Sequence, residues 1–325
     1  MKLLTTSDYI ADASEAIARS KKRVIVMTLC ISRESGTEEF MDNLVIAAKK
    51  GVDVSIAADT FTFSAFGGYF SPFKRLHHNS RAAKKLANKL RSNGAEFRWL
   101  GGNWRINPFA GVTHVKWTIV DDTIYCFGGV NMYGKGAKNT DYMFKVRDGK
   151  LADLLANEHK KIVQTDRDPT DYSGFYRQLG YGNLLIDSGQ KNESMIYERA
   201  VELAQQSQSI LFVSQYCPTG KLAKVLRYKK AVVYYNQPKN SHRWTNIMLR
   251  YSRLTTGLKS RYKKQNYLHG KFIVFTMHDG SKVALTGSHN FSYSGVRLGT
   301  REVELETNDK KVISQLENFY KDNIT

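Results

Sequence analysis

No run of apolar residues in this chain approaches the ~20 needed to cross a bilayer as a helix. The opening MKLLTTSDYIADAS has too short an apolar stretch for a secretory signal peptide. Any membrane contact is therefore expected to be peripheral. Cysteine is scarce as well: Cys30, Cys126 and Cys217 lie in apolar, strand-like segments, with no C-x-x-C and no paired His–Cys spacing. They read as buried thiols in a reducing compartment, which implies a cytoplasmic protein whose membrane contact, if it has one, is with the inner face. Asp, Glu, Cys and His nowhere cluster at metal-ligand spacing, and Asp166, Asp168 and Asp171 lack the glycine and terminal glutamate of a calcium loop. No metal and no cofactor are expected.

Against these absences stands a repeat. His114-Val115-Lys116 and His269-Gly270-Lys271 are followed, 14 and 18 residues after the histidine, by Gly128-Gly129-Val130-Asn131 and Gly287-Ser288-His289-Asn290. Cleaving a phosphodiester without a metal needs a nucleophile effective at neutral pH, a proton donor for the leaving oxygen and fixed positive charge for the non-bridging oxygens. Two imidazoles can divide the first two tasks and two lysines supply the third. HVKWTIV and HGKFIVF are β-branched and aromatic and read as strands, which would put His and Lys on one face roughly 6.5 Å apart. Asn131 and Asn290 then offer amide donors beside glycines that let backbone approach a phosphate. Neither copy is complete alone, so a phosphate is expected between them on an approximate two-fold axis. The other histidines, His77, His78, His159, His242, His278 and His289, read as packed or surface residues.

The paired motifs resemble those of the phospholipase D superfamily. VTHVKWTIVDDTIYCFGGVNMYG with NTDYMFKV, and LHGKFIVFTMHDGSKVALTGSHNF with TREVELE, are similar to the two catalytic segments of cardiolipin synthases. ASEAIARSKKRVIVMTLCI, LVIAAKKGVDVSIAADTF and ERAVELAQQSQSILFVSQYC resemble the helix–strand units that open each half in that family. The resemblance implies His114 as the nucleophile that becomes a phosphohistidine, and His269 as general acid and then base. It implies Lys116, Lys271, Asn131, Asn290 and Ser288 around the phosphate, and Asp141 and Glu302 as the acids that orient the imidazoles. Glu304 competes with Glu302, because a shift of two residues keeps the same strand face. The full motif is H-x-K-x4-D; Asp121 satisfies it, whereas Thr276 stands in the second copy. That position falls on the opposite strand face from the His and Lys, so it is expected to support a turn.

The 49 basic and 30 acidic residues give a net charge of +19, unevenly spread. Leu203 to His278 holds 14 Lys or Arg and no Asp or Glu, and Thr60 to Ala95 holds seven and none. Solvated faces generally mix signs, so these stretches read as an electrostatic funnel for a polyanion, either an anionic phospholipid membrane or a nucleic acid. Phe61, Phe63, Phe66, Tyr69, Phe70 and Phe73 follow no clean period around Gly67-Gly68 and read as a loop or short irregular helix at the active-site rim. They are either a satellite of the core or a hydrophobic lip for acyl chains, and bases could stack on the same rings.

These readings combine into an α/β fold of two similar halves, residues 1–165 and 194–325 joined by a linker over 166–193. Each half would be a sheet flanked by helices, related to the other by pseudo-two-fold symmetry with the active site at the interface. The expected function is that of a phosphatidyltransferase or phosphodiesterase acting on anionic phospholipid, cardiolipin-synthase-like. The alternatives are a metal-independent nuclease of the same superfamily and a catalytically idle module that binds anionic membranes. No obligate protein partner is evident.

Overall fold

Alternation along the strands explains the layering. In β2, Ile25 and Met27 face one way and Val24 and Val26 the other, and all four are buried. Period-two side chains that are apolar on both faces require cover on both faces. The structure is a computed structural model describing residues 1–102, 107–166, 172–240 and 243–325. His242, Asp168 and Asp171 lie outside the described residues.

The first half runs β1 (Lys2–Thr5), α1 (Thr6–Ala18), β2 (Arg23–Thr28), α2 (Glu38–Lys49), β3 (Asp53–Asp59), α3 (Phe61–Gly67), α4 (His78–Arg91), β4 (Glu96–Leu100), β5 (Trp117–Val120), β6 (Thr123–Cys126), β7 (Tyr142–Arg147) and α5 (Gly149–Gln164). The second runs β8 (Phe175–Leu179), β9 (Gly182–Ile186), α6 (Met195–Gln206), β10 (Ser207–Val213), α7 (Gly220–Tyr228), β11 (Val232–Tyr234), α8 (Arg243–Thr256), β12 (Phe272–Met277), β13 (Lys282–Gly287), α9 (Tyr293–Leu298), β14 (Val303–Thr307) and α10 (Lys310–Asn323).

Each half forms a seven-stranded sheet, in the orders β1-β7-β6-β5-β2-β3-β4 and β11-β10-β12-β13-β14-β9-β8. The parallel pair β2·β3 matches β10·β11, and the antiparallel series β2·β5·β6·β7·β1 matches β10·β12·β13·β14·β9. The halves are therefore pseudo-two-fold related, each with one extra edge strand, β4 or β8.

Inner faces of both sheets share one core with α5 and α10, in which Trp117, Tyr142, Phe144, Leu155, Phe272, Leu305, Leu316 and Phe319 all participate. Helices α1, α2 and α4 cover the outer face of the first sheet, and α6 and α7 that of the second. Side-chain caps start the helices that close this shared layer. Asp148 accepts from the amide of Leu151 at the start of α5, and Asp309 accepts from those of Lys311 and Val312 at the start of α10.

Two sequence expectations change here. Segment 166–193, read as linker, carries β8 and β9, and β9 pairs with β14 as part of the second sheet. Strand β8 is an edge strand whose Tyr176, Arg177 and Gln178 are exposed, so its polar surface disguised it. HVK and HGK are not themselves in strands, which begin at Trp117 and Phe272 immediately after them. Asp121 does support a turn: its carboxylate accepts from the amides of Lys21, Lys22 and Arg23, tying the β5–β6 connection to the start of β2.

Candidate active site

Each H-x-K segment leaves its own sheet early and pairs with the other half. Thr113 bridges to Arg301, and Leu268 to Thr140, in parallel register. The amide of His114 donates to the Arg301 carbonyl at 2.8 Å, and that of His269 to the Thr140 carbonyl at 2.9 Å. This is the same bond made twice, once in each direction across the pseudo-two-fold axis.

The crossing pairs each imidazole with a carboxylate of the opposite half. Nδ1 of His114 lies 2.9 Å from Oε2 of Glu302, and Nδ1 of His269 lies 2.6 Å from Oδ2 of Asp141. An ionised carboxylate only accepts, so each Nδ1 carries the proton and each Nε2 is left to react. Glu304, two residues on, points elsewhere and accepts from the amide of His289 at 3.2 Å. Asp141 is further fixed by the amides of Gly129 and Tyr142, and Glu302 by the Ser288 hydroxyl.

The unequal residues at 129 and 288 follow from this packing. A Cβ on Gly129 would lie 2.7 Å from Asp141 Oδ2 and 2.9 Å from the His269 carbonyl oxygen, so no side chain fits there. In the second half the equivalent Ser288 has room, and its hydroxyl is used on Glu302. Gly128 and Gly287 are a matched pair for a stricter reason. A Cβ would sit 1.9 Å from the Tyr142 carbonyl oxygen in one copy and 2.2 Å from that of Val303 in the other.

Lys116 and Lys271 are fully buried, their ammonium groups donating to the carbonyls of His114 at 2.7 Å and His269 at 2.5 Å. Burial and the neighbouring Lys271 charge lower Lys116 from 10.5 to about 7; burial lowers Lys271 to about 8. For Lys116 that shift corresponds to about 5 kcal/mol against the charged form, a deficit that an arriving anion would offset. Burial and both lysine charges also depress the imidazoles, His114 well below its ordinary value and His269 to about 3. Both are therefore neutral at pH 7. Burial would raise Asp141, but the adjoining His269 and Lys271 bring it below the usual carboxylate range, while burial leaves Glu302 raised.

The remaining expected residues stand in the two matched turns that follow the strands. Ser288 is buried on Glu302, and Asn131 and Asn290 stand at equivalent positions. Their side-chain oxygens are both buried without a hydrogen-bond partner among the described residues, two acceptors the protein has not used. Among the described residues no group of three or more His, Cys, Asp or Glu is placed to hold a metal ion.

Sequence reasoning missed two features. His289, read as a packed or surface residue, is packed, and it sits beside the site: burial lowers it to about 4, with Glu302 opposing the shift and His114 adding to it. A tyrosine wall also flanks His269: the Tyr267 ring centroid is 6.5 Å from that of the imidazole, and Tyr267 and Tyr216 share the amide of Gln215. Burial holds the Tyr216 hydroxyl well above its ordinary value, and the neighbouring Tyr267, Tyr69 and Tyr133 raise it further. Only the clustering of tyrosines in separate segments could have signalled this wall.

Comparison with known proteins follows the same two-part division. No curated protein matches the sequence. Two family models match, one in each half: "Cardiolipin synthase, PLD-like domain" over residues 14–163 and "NgoFVII restriction endonuclease N-terminal PLD domain" over 246–324. Among solved structures, phosphatidylserine synthase from Haemophilus influenzae Rd KW20 superposes with TM-score 0.72 at 14% identity, over 100% of this chain and 86% of that one. Polyphosphate kinase from Porphyromonas gingivalis gives TM-score 0.60 at 11% identity, over 98% of this chain and 49% of that one. Nuc, a phospholipase D family member from Salmonella typhimurium, gives 0.38 at 20% identity, over 51% of this chain and 95% of that one. PLD-like models in both halves, on a fold shared along the whole chain, make this protein a member of the phospholipase D superfamily.

Proposed function

We propose that this protein is a phosphatidyltransferase or phosphodiesterase that acts on anionic phospholipid through a covalent phosphohistidine. The observation carrying the chemistry is the pair of cross-half imidazole–carboxylate contacts flanked by two buried lysines. In the first displacement Nε2 of His114 attacks phosphorus, the P–N bond forms and the P–O bond to the leaving alcohol breaks. His269 gives that oxygen its proton. In the second, His269 takes a proton from the acceptor alcohol or water, whose oxygen displaces His114 and breaks the P–N bond. Glu302 and Asp141 hold the imidazoles with Nε2 inward, and Lys116, Lys271, Asn131 and Asn290 bind the non-bridging oxygens.

Proton balance follows from the low imidazole values. Burial is the main cause of the low His269 value and the Lys271 charge the next; a diester anion bound between Lys116 and Lys271 opposes the lysine contribution and so shifts His269 toward its protonated form as substrate binds. Lipid is favoured by the cardiolipin synthase PLD-like model on the first half and by the fold shared with a phosphatidylserine synthase. The endonuclease PLD model on the second half and the two acid-free basic stretches support the nuclease as second reading. Cytoplasmic placement with peripheral attachment to the inner face of the membrane belongs to the same proposal; among the described residues, no helix is long and apolar enough to span a bilayer.

Turnover on phosphatidylglycerol vesicles and on single-stranded DNA, side by side in excess EDTA, tests this reading. The expected result is lipid transfer or hydrolysis that EDTA leaves intact, since the two lysines supply the positive charge. Cleavage of DNA without lipid turnover would establish the nuclease. Activity lost in chelator and restored by a divalent ion would overturn the metal-independent mechanism.

A further inference from the structure

Helix α8 turns a broad apolar face to solvent. Ile247, Met248, Tyr251 and Leu254 are 54, 49, 69 and 84% exposed, while Leu249 anchors the helix in the second-half core. Positions 247, 251 and 254 follow the i, i+4, i+7 spacing of a single stripe. Scattered exposed apolar residues are ordinary, but several contiguous ones on one helix mark a surface that something covers. The same helix carries Arg250 and Arg253 and no acidic residue, within a stretch that lacks Asp and Glu from Leu203 to His278.

A second exposed apolar group comes from the other half. Phe70, Phe73 and Leu76 are 66, 69 and 57% exposed, following α3 and beside the basic helix α4. The two groups come near one another where Tyr69, next to Phe70, lies within reach of Thr245 of α8. Tyr69 also lies within electrostatic range of Tyr216 and Tyr267, and the Tyr267 ring stands 6.5 Å from that of His269.

We propose that α8 and the Phe70–Leu76 segment together form a docking face that seats the protein on an anionic phospholipid bilayer, the approach to His269 opening toward the lipid. This deepens, and rests on, the lipid reading of the site. Charge complementarity identifies the occupant. A second copy would bring an equally basic face against this one, whereas an anionic leaflet attracts it. Aliphatic Ile247, Met248 and Leu254 gain by entering an acyl boundary, while a nucleic-acid strand would engage the cations and rings and leave them wet.

Flotation with phosphatidylglycerol-containing vesicles tests the face, in about 0.5 M salt where screening suppresses purely ionic attraction. Two multiple variants probe it from opposite halves: Ile247→Ser/Tyr251→Ser/Leu254→Ser and Phe70→Ser/Phe73→Ser. Each is expected to lower vesicle partition, the α8 variant by on the order of 100-fold, with turnover of a short-chain soluble phosphodiester unchanged. Wild-type vesicle binding lost in the variants would support the docking face even if no lipid were turned over, a result that would sink only the substrate assignment. The proposal is overturned if wild type does not float. It is also overturned if both variants float like wild type, whether they instead dissolve a wild-type dimer or weaken single-stranded DNA binding.

Discussion

Replacing His114 with alanine is expected to lower kcat/KM by on the order of 10⁴-fold or more, because no intermediate can form without the attacking nitrogen and members of a catalytic unit are costly to remove singly. His269→Ala should cost about 10²- to 10⁴-fold with a natural alcohol leaving group, the range for general acid catalysis. The two losses should separate when the leaving group is an acidic phenol. Such a group departs without a proton, so the first displacement recovers in His269→Ala and stays lost in His114→Ala. Burst kinetics with a chromogenic diester reads this directly. Equal recovery in both variants would remove the division of labour, and recovery in His114→Ala alone would reverse it.

The lysines give the second large effect, with a pH signature. A lysine with a lowered value is charged below that value and loses its charge as pH rises through it. With Lys116 at about 7 and Lys271 at about 8, free-enzyme kcat/KM should decline on the alkaline side from near neutrality. Either lysine replaced by methionine should lose roughly 10²- to 10³-fold, as for other lost groups that stabilise developing charge. The Lys271 charge is one cause of the low Lys116 value, so Lys271→Met should move the alkaline limb upward as Lys116 recovers. A limb unmoved in that variant would mean that Lys116 does not control it.

The candidate catalytic residues were legible because the chain states them twice. His114 with Lys116 and His269 with Lys271 stand at matched spacing before matched Gly-Asn turns, and repetition supplied what one short motif cannot. Asp141 and Glu302 were legible to within one strand register, since Glu302 and Glu304 share a face. The choice between them depends on which carboxylate the other half approaches, a tertiary fact carried by the Thr113–Arg301 bridge. The hairpin of β8 and β9 was hidden because an edge strand with exposed Tyr176, Arg177 and Gln178 lacks the apolar alternation of a covered one. The tyrosine wall was illegible for a different reason: Tyr69, Tyr133, Tyr216 and Tyr267 come from four separate segments that only the closed pseudo-dimer brings together. Helix α8 shows the limit of periodicity itself, which locates an apolar stripe without saying whether the protein or a partner covers it.

The central claim is that phosphorus is held on His114 between two displacements. Its most direct test is to quench turnover of a phosphorus-labelled diester in alkaline denaturant, which preserves a P–N bond, and to map the labelled peptide. The account predicts label on His114, none in His114→Ala, and accumulated label in His269→Ala with an acidic leaving group, because that variant lacks the base for the second step. Label on His269, or rapid turnover that never places phosphorus on the protein, would contradict it.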